Sequence, residues 1–266
     1  MKGLSGSTVV VTGASGLLGF HHVHKLLVEG AVVIAVDLFE ETLKKKFAIL
    51  PKSLTPGLHL IACDITSEYS LRRTLEPLMT RYYITGLVNN AAINPKVEEG
   101  LGTRSNLLEE TWEDWNLQLK VGLYGAFNCI RVLAPHMLAH GMPSSIVNIS
   151  SDYGHLAPNQ SLYFDSTDDP PVKPLTYSIV KHGVVGLTRF FATFWAGMNI
   201  RVNALAPGGV INGQEQSFLS RISSEIPMAR MARPDEFGGT LTFLLSNESS
   251  YLNGQEIVVD GGRAVW

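Results

Sequence analysis

Seven short apolar runs, separated by longer amphipathic stretches, recur along the whole chain, and this alternation limits the fold more than any other feature. The runs are Thr8–Thr12, Ala31–Asp37, His59–Asp64, Gly86–Asn90, Ser145–Ser150, Ile200–Leu205 and Glu256–Asp260. Most are continuously apolar rather than alternating, the pattern of strands covered on both faces. Between them the spacing predicts helices near Leu17–Glu29, Ser67–Arg81, Glu109–His140, Leu175–Ala196 and Pro234–Leu245. Strand–helix alternation over the full length predicts one doubly wound parallel sheet. In such a sheet ligands bind beyond the carboxyl ends of the strands.

Composition narrows the partners. The chain has 266 residues, 45% hydrophobic, enough to bury a sizeable core. A formal net charge of −3 gives no electrostatic footprint for nucleic acid or an anionic membrane surface, so a small-molecule substrate is expected instead. No apolar run approaches the ~20 residues that span a bilayer. The stretch from Met1 to Ser7 lacks a signal-peptide layout. Two cysteines, Cys63 and Cys129, form no metal-ligand spacing and suit a reducing compartment. A soluble cytoplasmic protein without a metal site is the expectation.

The first predicted strand ends in Thr12-Gly13-Ala14-Ser15-Gly16-Leu17-Leu18-Gly19, and a predicted helix follows. Glycines there permit a tight turn and close approach of the backbone to a pyrophosphate, whose charge meets the free N–H groups of the helix start. The second strand ends in Asp37, 24 residues after Gly13. That is near the offset of about 20 for an acid that accepts ribose hydroxyls. A carboxylate there repels a 2′-phosphate, which favours NAD over NADP.

Tyr177-Ser178-Ile179-Val180-Lys181 places a phenol and an ammonium on one helix face. A free tyrosine, with pKa near 10, is a poor acid–base group at neutral pH. An adjacent Lys⁺ is expected to lower that value, so that Tyr177 exchanges a proton with an alcohol or carbonyl while hydride passes to or from nicotinamide. The strand Ser145–Ser150 runs into Ser151, whose hydroxyl is placed to stabilise charge on the substrate oxygen. Capping of the strand end is an equal use for one of Ser150 and Ser151.

Taken in order, Thr12–Gly19, Asp64, Asn89-Asn90-Ala91-Ala92, Ile146–Gly154, Tyr177–Lys181, Arg201–Val210, Arg233-Pro234-Asp235-Glu236 and Asp260-Gly261-Gly262 resemble the signature set of short-chain dehydrogenases/reductases. The resemblance covers essentially the whole chain. It implies a single Rossmann-type sheet of about seven strands in the order 3-2-1-4-5-6-7, and catalysis by Ser151, Tyr177 and Lys181. It implies an NAD(H) site built from Gly13, Ser15, Gly16, Leu17, Leu18, Gly19, Asp37, Asp64, Ile65, Asn90, Ala91, Tyr177, Lys181, Pro207, Gly208 and Val210. Asp64 would meet the adenine amine, Asn90 the adenosine side, and the Pro207–Val210 turn the carboxamide. A homotetramer or homodimer is also implied, with the tail Gly262–Trp266 near a subunit interface.

The chain departs from the family pattern in several places. Its glycine loop reads TGxxGxxG, the spacing of an extended branch that includes nucleotide-sugar epimerases; the chain is short for that branch. Gly122, in Val121-Gly122-Leu123-Tyr124-Gly125, stands where the family carries an asparagine that holds a water of its proton relay. Tyr177 follows Ser151 by 26 residues, about twice the usual gap, so residues 160–174 read as an inserted loop near the substrate mouth. Asn212 replaces the usual threonine after the Pro207 turn. Gly122 leaves open a cofactor-binding protein with little catalysis, and the glycine loop leaves open a sugar-nucleotide epimerase or dehydratase.

The substrate is the least determined feature. The specificity loop, 208–227, carries Gln214, Glu215, Gln216, Ser217, Ser220 and Arg221, a polar set suited to a hydroxyl-rich or anionic molecule. The runs Tyr177–Ala192 and Met228–Glu236 resemble members linked to bacterial surface-sugar pathways. A sugar, sugar phosphate or polyol is therefore expected. His21, His22 and His24 read as helix residues rather than metal ligands, and Lys44-Lys45-Lys46 as a solvated helix face. Asp152, Tyr153 and His155 are placed either to touch substrate or simply to form a loop.

Overall fold

The structure is a computed structural model and describes residues 3–94, 111–163 and 172–266. The strands are β1 (Thr8–Thr12), β2 (Val32–Asp37), β3 (Leu58–Ala62), β4 (Ile84–Asn89), β5 (Ser144–Ile149), β6 (Ile200–Pro207) and β7 (Glu256–Val259). All neighbouring pairs are parallel, in the order β3-β2-β1-β4-β5-β6-β7. Strand order and number match the sequence expectation; the boundaries shift by one or two residues.

Alternate side chains of each strand feed two apolar layers. Val10, Ile34, Leu87, Ile146 and Val202 pack toward α3 (Glu68–Met79), α5 (Gly125–His140) and α6 (Leu175–Phe194). On the other face Val9, Val11, Val33, Val88 and Val147 pack toward α1 (Leu17–Val28), α2 (Glu40–Phe47) and α8 (Gly238–Leu245). Burial on both faces explains why the strands read as continuous apolar runs. One polar chain crosses this core: Asn89 Nδ2 donates to Asn148 Oδ1 at 2.8 Å, and Asn148 Nδ2 to Thr188 Oγ1 at 2.9 Å. It pins β4, β5 and α6 in register beside the active end of the sheet.

The helices differ more from expectation. The stretch expected as one helix from Glu109 to His140 is α4 (Trp112–Leu119), a π-helical turn at Lys120–Tyr124, and α5; its first two residues lie outside those described. Thr111 and Asp114 close a capping box that starts α4. The helix expected from Pro234 begins at Gly238, because Arg233–Glu236 forms a turn, with Glu236 N–H donating to the Arg233 carbonyl at 3.1 Å. Two helices have no range in the sequence reading: α2, of which only the lysine face was expected, and α7 (Gln216–Ser224). Each buries too few apolar residues to show a period: Leu43 and Phe47 in α2, Ile222 in α7. Lys44, Lys45 and Lys46 do lie on a helix, α2.

His22 is wholly buried on α1, and its two ring nitrogens have no hydrogen-bond partner among the described residues. Burial holds its pKa down to about 3. Among the described residues no group of three or more His, Cys, Asp and Glu is arranged to hold a metal, and no helix is long and apolar enough to cross a membrane.

Candidate active site

A cavity of about 570 Å³ opens at the carboxyl ends of the central strands. Every residue named from the sequence for cofactor or catalysis lines it, except Gly19. Gly19 sits behind the wall, where a Cβ would stand 2.1 Å from the Gly13 carbonyl oxygen. Only glycine allows α1 to pack so close to the turn. Gly13 itself has φ of 61°, and a Cβ there would be 2.7 Å from Ala91 Cα.

Neighbouring strand ends lock this turn in place. Thr12 Oγ1 accepts from the N–H groups of Asn90 and Ala91, each at 3.1 Å. Asn90 Nδ2 donates to the carbonyls of Thr12 and Gly13, each at 3.0 Å. Asn90 therefore serves the glycine turn directly, a use its sequence position did not disclose. Asp37, on the next strand, accepts from Ser15 N–H at 2.9 Å and Ser15 Oγ at 2.5 Å through Oδ2, and from Leu38 N–H at 2.8 Å through Oδ1. The carboxylate is thereby held in one orientation at the cavity wall. Asp64 Oδ1 is occupied by the backbone N–H and hydroxyl of Thr66, each at 2.8 Å.

The two serines at the end of β5 separate in role. Ser150 Oγ turns inward and donates to the Lys181 carbonyl at 3.3 Å, a structural tie to α6. Ser151 lines the cavity, and its Oγ donates to Asp152 Oδ1 at 2.8 Å. Asp152 is itself bound by Arg263, Nη1 to Oδ2 at 2.8 Å, with both side chains buried. Arg263 also reaches Glu225 Oε2 at 2.7 Å, just beyond α7.

Tyr177 lies on the first turns of α6 beside Ser151. Lys181 Nζ donates to the Ile149 carbonyl at 2.8 Å and stands 5.6 Å from the Tyr177 ring centroid. The sequence expectation was a phenol lowered by this ammonium. The structure differs: burial pushes Tyr177 well above its ordinary value, the Ser151 hydroxyl pulls it partly back, and the Asp152 carboxylate adds to the rise. Burial, and then the neighbouring Lys173, bring Lys181 down to about 8. The ammonium donates to a backbone carbonyl, and desolvation is the largest influence on each member of the pair.

Gly122 lies buried in the π-helical turn, where a Cβ would meet Val180 Cγ1 at 2.4 Å. Apolar volume thus fills the position that the family pattern gives to an amide.

At the substrate end the expected polar set is not brought together. Gln214 lines the cavity, but its amide binds its own loop through Asn212 N–H and the Val210 carbonyl. α7 presents Phe218 and Ile222 instead, while Arg221 Nε donates to the Leu162 carbonyl and Ser220 Oγ to the Gln216 carbonyl. Asp152 and Tyr153 line the cavity and His155 does not. Of the stretch 160–174, residues 164–171 lie outside those described. The described part supplies Tyr163 and Lys173 to the cavity wall. Lys173 and Arg263 were missed in the sequence: neither falls in a periodic apolar pattern, Lys173 lying just before α6 and Arg263 reaching the site from far along the chain.

Comparisons with known proteins agree with this architecture. A family model described as enoyl-(acyl carrier protein) reductase matches residues 13–264. The 3-oxoacyl-[acyl-carrier-protein] reductase FabG of Thermotoga maritima is 33% identical, over 98% of this chain and 99% of that protein. A crystal structure of a gluconate 5-dehydrogenase from Burkholderia cenocepacia, in complex with NADP and tartrate, superposes with a TM-score of 0.84 at 27% identity, covering 99% of this chain and 97% of that one. A short-chain dehydrogenase from Leptospira borgpetersenii with bound NAD⁺ also gives 0.84, at 25% identity, over 98% and 94% of the two chains. The sheet order, the site at its carboxyl edge and a family match over nearly the whole length lead to one conclusion: the chain belongs to the short-chain dehydrogenases/reductases, a family of oxidoreductase enzymes.

Proposed function

We propose that the protein is an NAD(H)-dependent oxidoreductase that interconverts a secondary alcohol and a ketone on a polar, sugar-like or polyol substrate. The observation that carries this reading is the convergence of Tyr177, Ser151 and Lys181 on one cavity that the glycine turn and Asp37 also line. The cofactor fits the residues present: a Cβ at Gly13, or at Gly208 where it would stand 2.7 Å from Asp260 Cα, would disturb the cradle. Free N–H groups at the start of α1 suit a pyrophosphate. Asp37 would take the ribose diol and repel a 2′-phosphate, which favours NAD; Asp64, Ile65, Asn90 and Ala91 would border the adenosine, and Pro207, Gly208 and Val210 the carboxamide.

When bound, the nicotinamide supplies or accepts the hydride. In the reducing direction Tyr177, kept protonated by burial, gives its proton to the carbonyl oxygen. In the oxidising direction Tyr177 first loses its own proton to solvent, and the phenolate, stabilised by the positive charge of Lys181, then takes the alcohol proton. Ser151 donates to Asp152 in this structure, so it turns its O–H away from Asp152 to donate to the reacting oxygen.

A second reading, a 3-oxoacyl substrate, is favoured by Phe218, Ile222 and Met231 on the cavity wall. We further propose one domain over 1–266, with 160–174 and 208–227 shaping the substrate mouth. A homotetramer or homodimer is supported by Trp112, Tyr124, Phe127 and Phe190, which line one apolar groove on α4 to α6. Sedimentation would read the assembly.

The test of function is NADH and NADPH oxidation by wild type and Tyr177→Phe across sugars, polyol-derived ketones and acyl ketones. NADH-dependent turnover of the polar ketones, lost in the variant, is expected. Turnover of acyl ketones alone would replace the sugar reading. Tight NADH binding with no turnover on any compound would favour a cofactor-binding protein.

A further inference from the structure

Asp152 follows Ser151 directly in the chain, and only 4% of its surface is exposed. Its two oxygens have different partners. Oδ1 accepts from Ser151 Oγ at 2.8 Å and from Tyr153 N–H at 2.9 Å, while Oδ2 accepts from Arg263 Nη1 at 2.8 Å. In this chain of bonds the carboxylate stands between the Ser151 hydroxyl and the guanidinium. Arg263 is not devoted to Asp152, because its Nε and Nη2 bind Glu225 Oε2 at 3.2 and 2.7 Å. Two carboxylates on one guanidinium leave one negative charge in excess, close to a phenol that is itself withdrawn from water.

We propose that Asp152 is a positioning residue for the proton transfer: it fixes the Ser151 hydroxyl in one orientation, and its excess charge opposes formation of the Tyr177 phenolate. The inference rests on the oxidoreductase reading of the same cavity and deepens it. Ser151 Oγ also accepts from Tyr153 N–H at 3.2 Å, so the hydroxyl is held from both sides and reaches a substrate oxygen by turning its O–H alone. An anion one hydroxyl away from a phenol, in a medium of low dielectric, disfavours a second negative charge there. Among the described residues the ionisable groups around the phenol are Lys181 on α6, Lys173 just before it, and Asp152 and Tyr153 after β5. Behind them lie Tyr163, whose hydroxyl is 3.2 Å from that of Tyr153, and Arg263 with Glu225. The lysines favour the phenolate and Asp152 opposes it, so the pH at which Tyr177 loses its proton reports the balance.

The test is a pH titration, followed by NMR, of protein carrying isotope-labelled tyrosine, in wild type, Asp152→Asn and Glu225→Gln, with Tyr177→Phe identifying the resonance. Asparagine keeps the shape and an oxygen for Ser151 and Tyr153 while removing the charge. In Asp152→Asn the ionisation of Tyr177 is expected to move down by on the order of one pH unit, a ten-fold gain in acidity. Glu225→Gln, at the outer end of the network, leaves Arg263 wholly to Asp152 and should move the ionisation the same way by less; it decides the matter alone if Asp152→Asn does not fold. The pH profile of alcohol oxidation, taken with any compound of the panel above that turns over, should shift by the same amount, whereas a merely structural role would lower kcat without moving the profile. Ionisation at the same pH in every protein, an upward shift in Asp152→Asn, or no ionisation in any of them within the range where the fold survives would overturn the proposal. Shifts without turnover of any compound would leave the charge coupling standing and remove the oxidoreductase reading. Turnover without a shift would do the reverse.

Discussion

Arg263, near the end of the chain, holds Asp152 at 2.8 Å, and Asp152 in turn holds the hydroxyl of Ser151 at 2.8 Å. The tail therefore acts on the active site through one buried carboxylate. Replacing Arg263 by Met would leave that carboxylate buried without its cation, a change that costs about 3–5 kcal/mol in comparable buried pairs. Urea denaturation should show this loss. In the folded fraction kcat should drop while NADH affinity, read by fluorescence, stays near wild type.

Gly122 is expected to resist reversion to the family asparagine. A Cβ would enter the Val180 side chain, so Gly122→Asn should lose about 1–3 kcal/mol, as overpacked positions do. Val180→Ala in the same chain makes room, and the double variant should recover most of the lost stability in a thermal melt. If turnover does not rise in the double variant, proton transfer in this chain runs without the family amide.

His22 should give the protein an acid-sensitive limb. Its folded value, about 3, lies below the unfolded 6.5, so the unfolded state binds the extra proton as pH falls. Stability is whole above pH 6.5 and is lost progressively from there toward pH 3. At pH 5 the loss is roughly 2 kcal/mol. His22→Leu should flatten this slope between about pH 6.5 and 4 in urea titrations.

Asp37→Ala should weaken NADH binding on the order of ten-fold, the size of one charge-assisted hydrogen bond. NADPH binding should improve relative to NADH, because the repulsion is gone. The Ser15 turn should also loosen, since both of its bonds to Oδ2 disappear. Equilibrium dialysis against the two dinucleotides would measure the ratio.

The order of the seven strands and the meeting of Gly13, Asp37, Ser151 and Tyr177 were legible because each is carried by local pattern. Continuous apolar runs announce buried parallel strands, and strand ends announce the site. The rest depends on contacts that sequence spacing does not encode. Lys173 and Arg263 enter from stretches with no periodicity. The π-helical turn at Lys120–Tyr124 goes with the close approach of Gly122 and Gly125 to Val180 and Ile65. The polar residues of α7 looked like substrate ligands in the sequence, but the helix turns Phe218 and Ile222 to the cavity. The rise in the Tyr177 pKa could not be read from its distance in sequence to Lys181, because it comes from burial.

The glycine turn has no slack: Gly13, Gly19, Asn90 and Ala91 touch at distances that leave no room for one more carbon. The substrate end is assembled instead from side chains on separate stretches of chain. A saturation library over the whole gene would then sort into two populations, with near-total intolerance at the nucleotide end and graded changes in selectivity around Lys173 and α7. Chemistry on new substrates is open to stepwise adaptation here, while on the proposed function the preference between dinucleotides would change chiefly through Asp37.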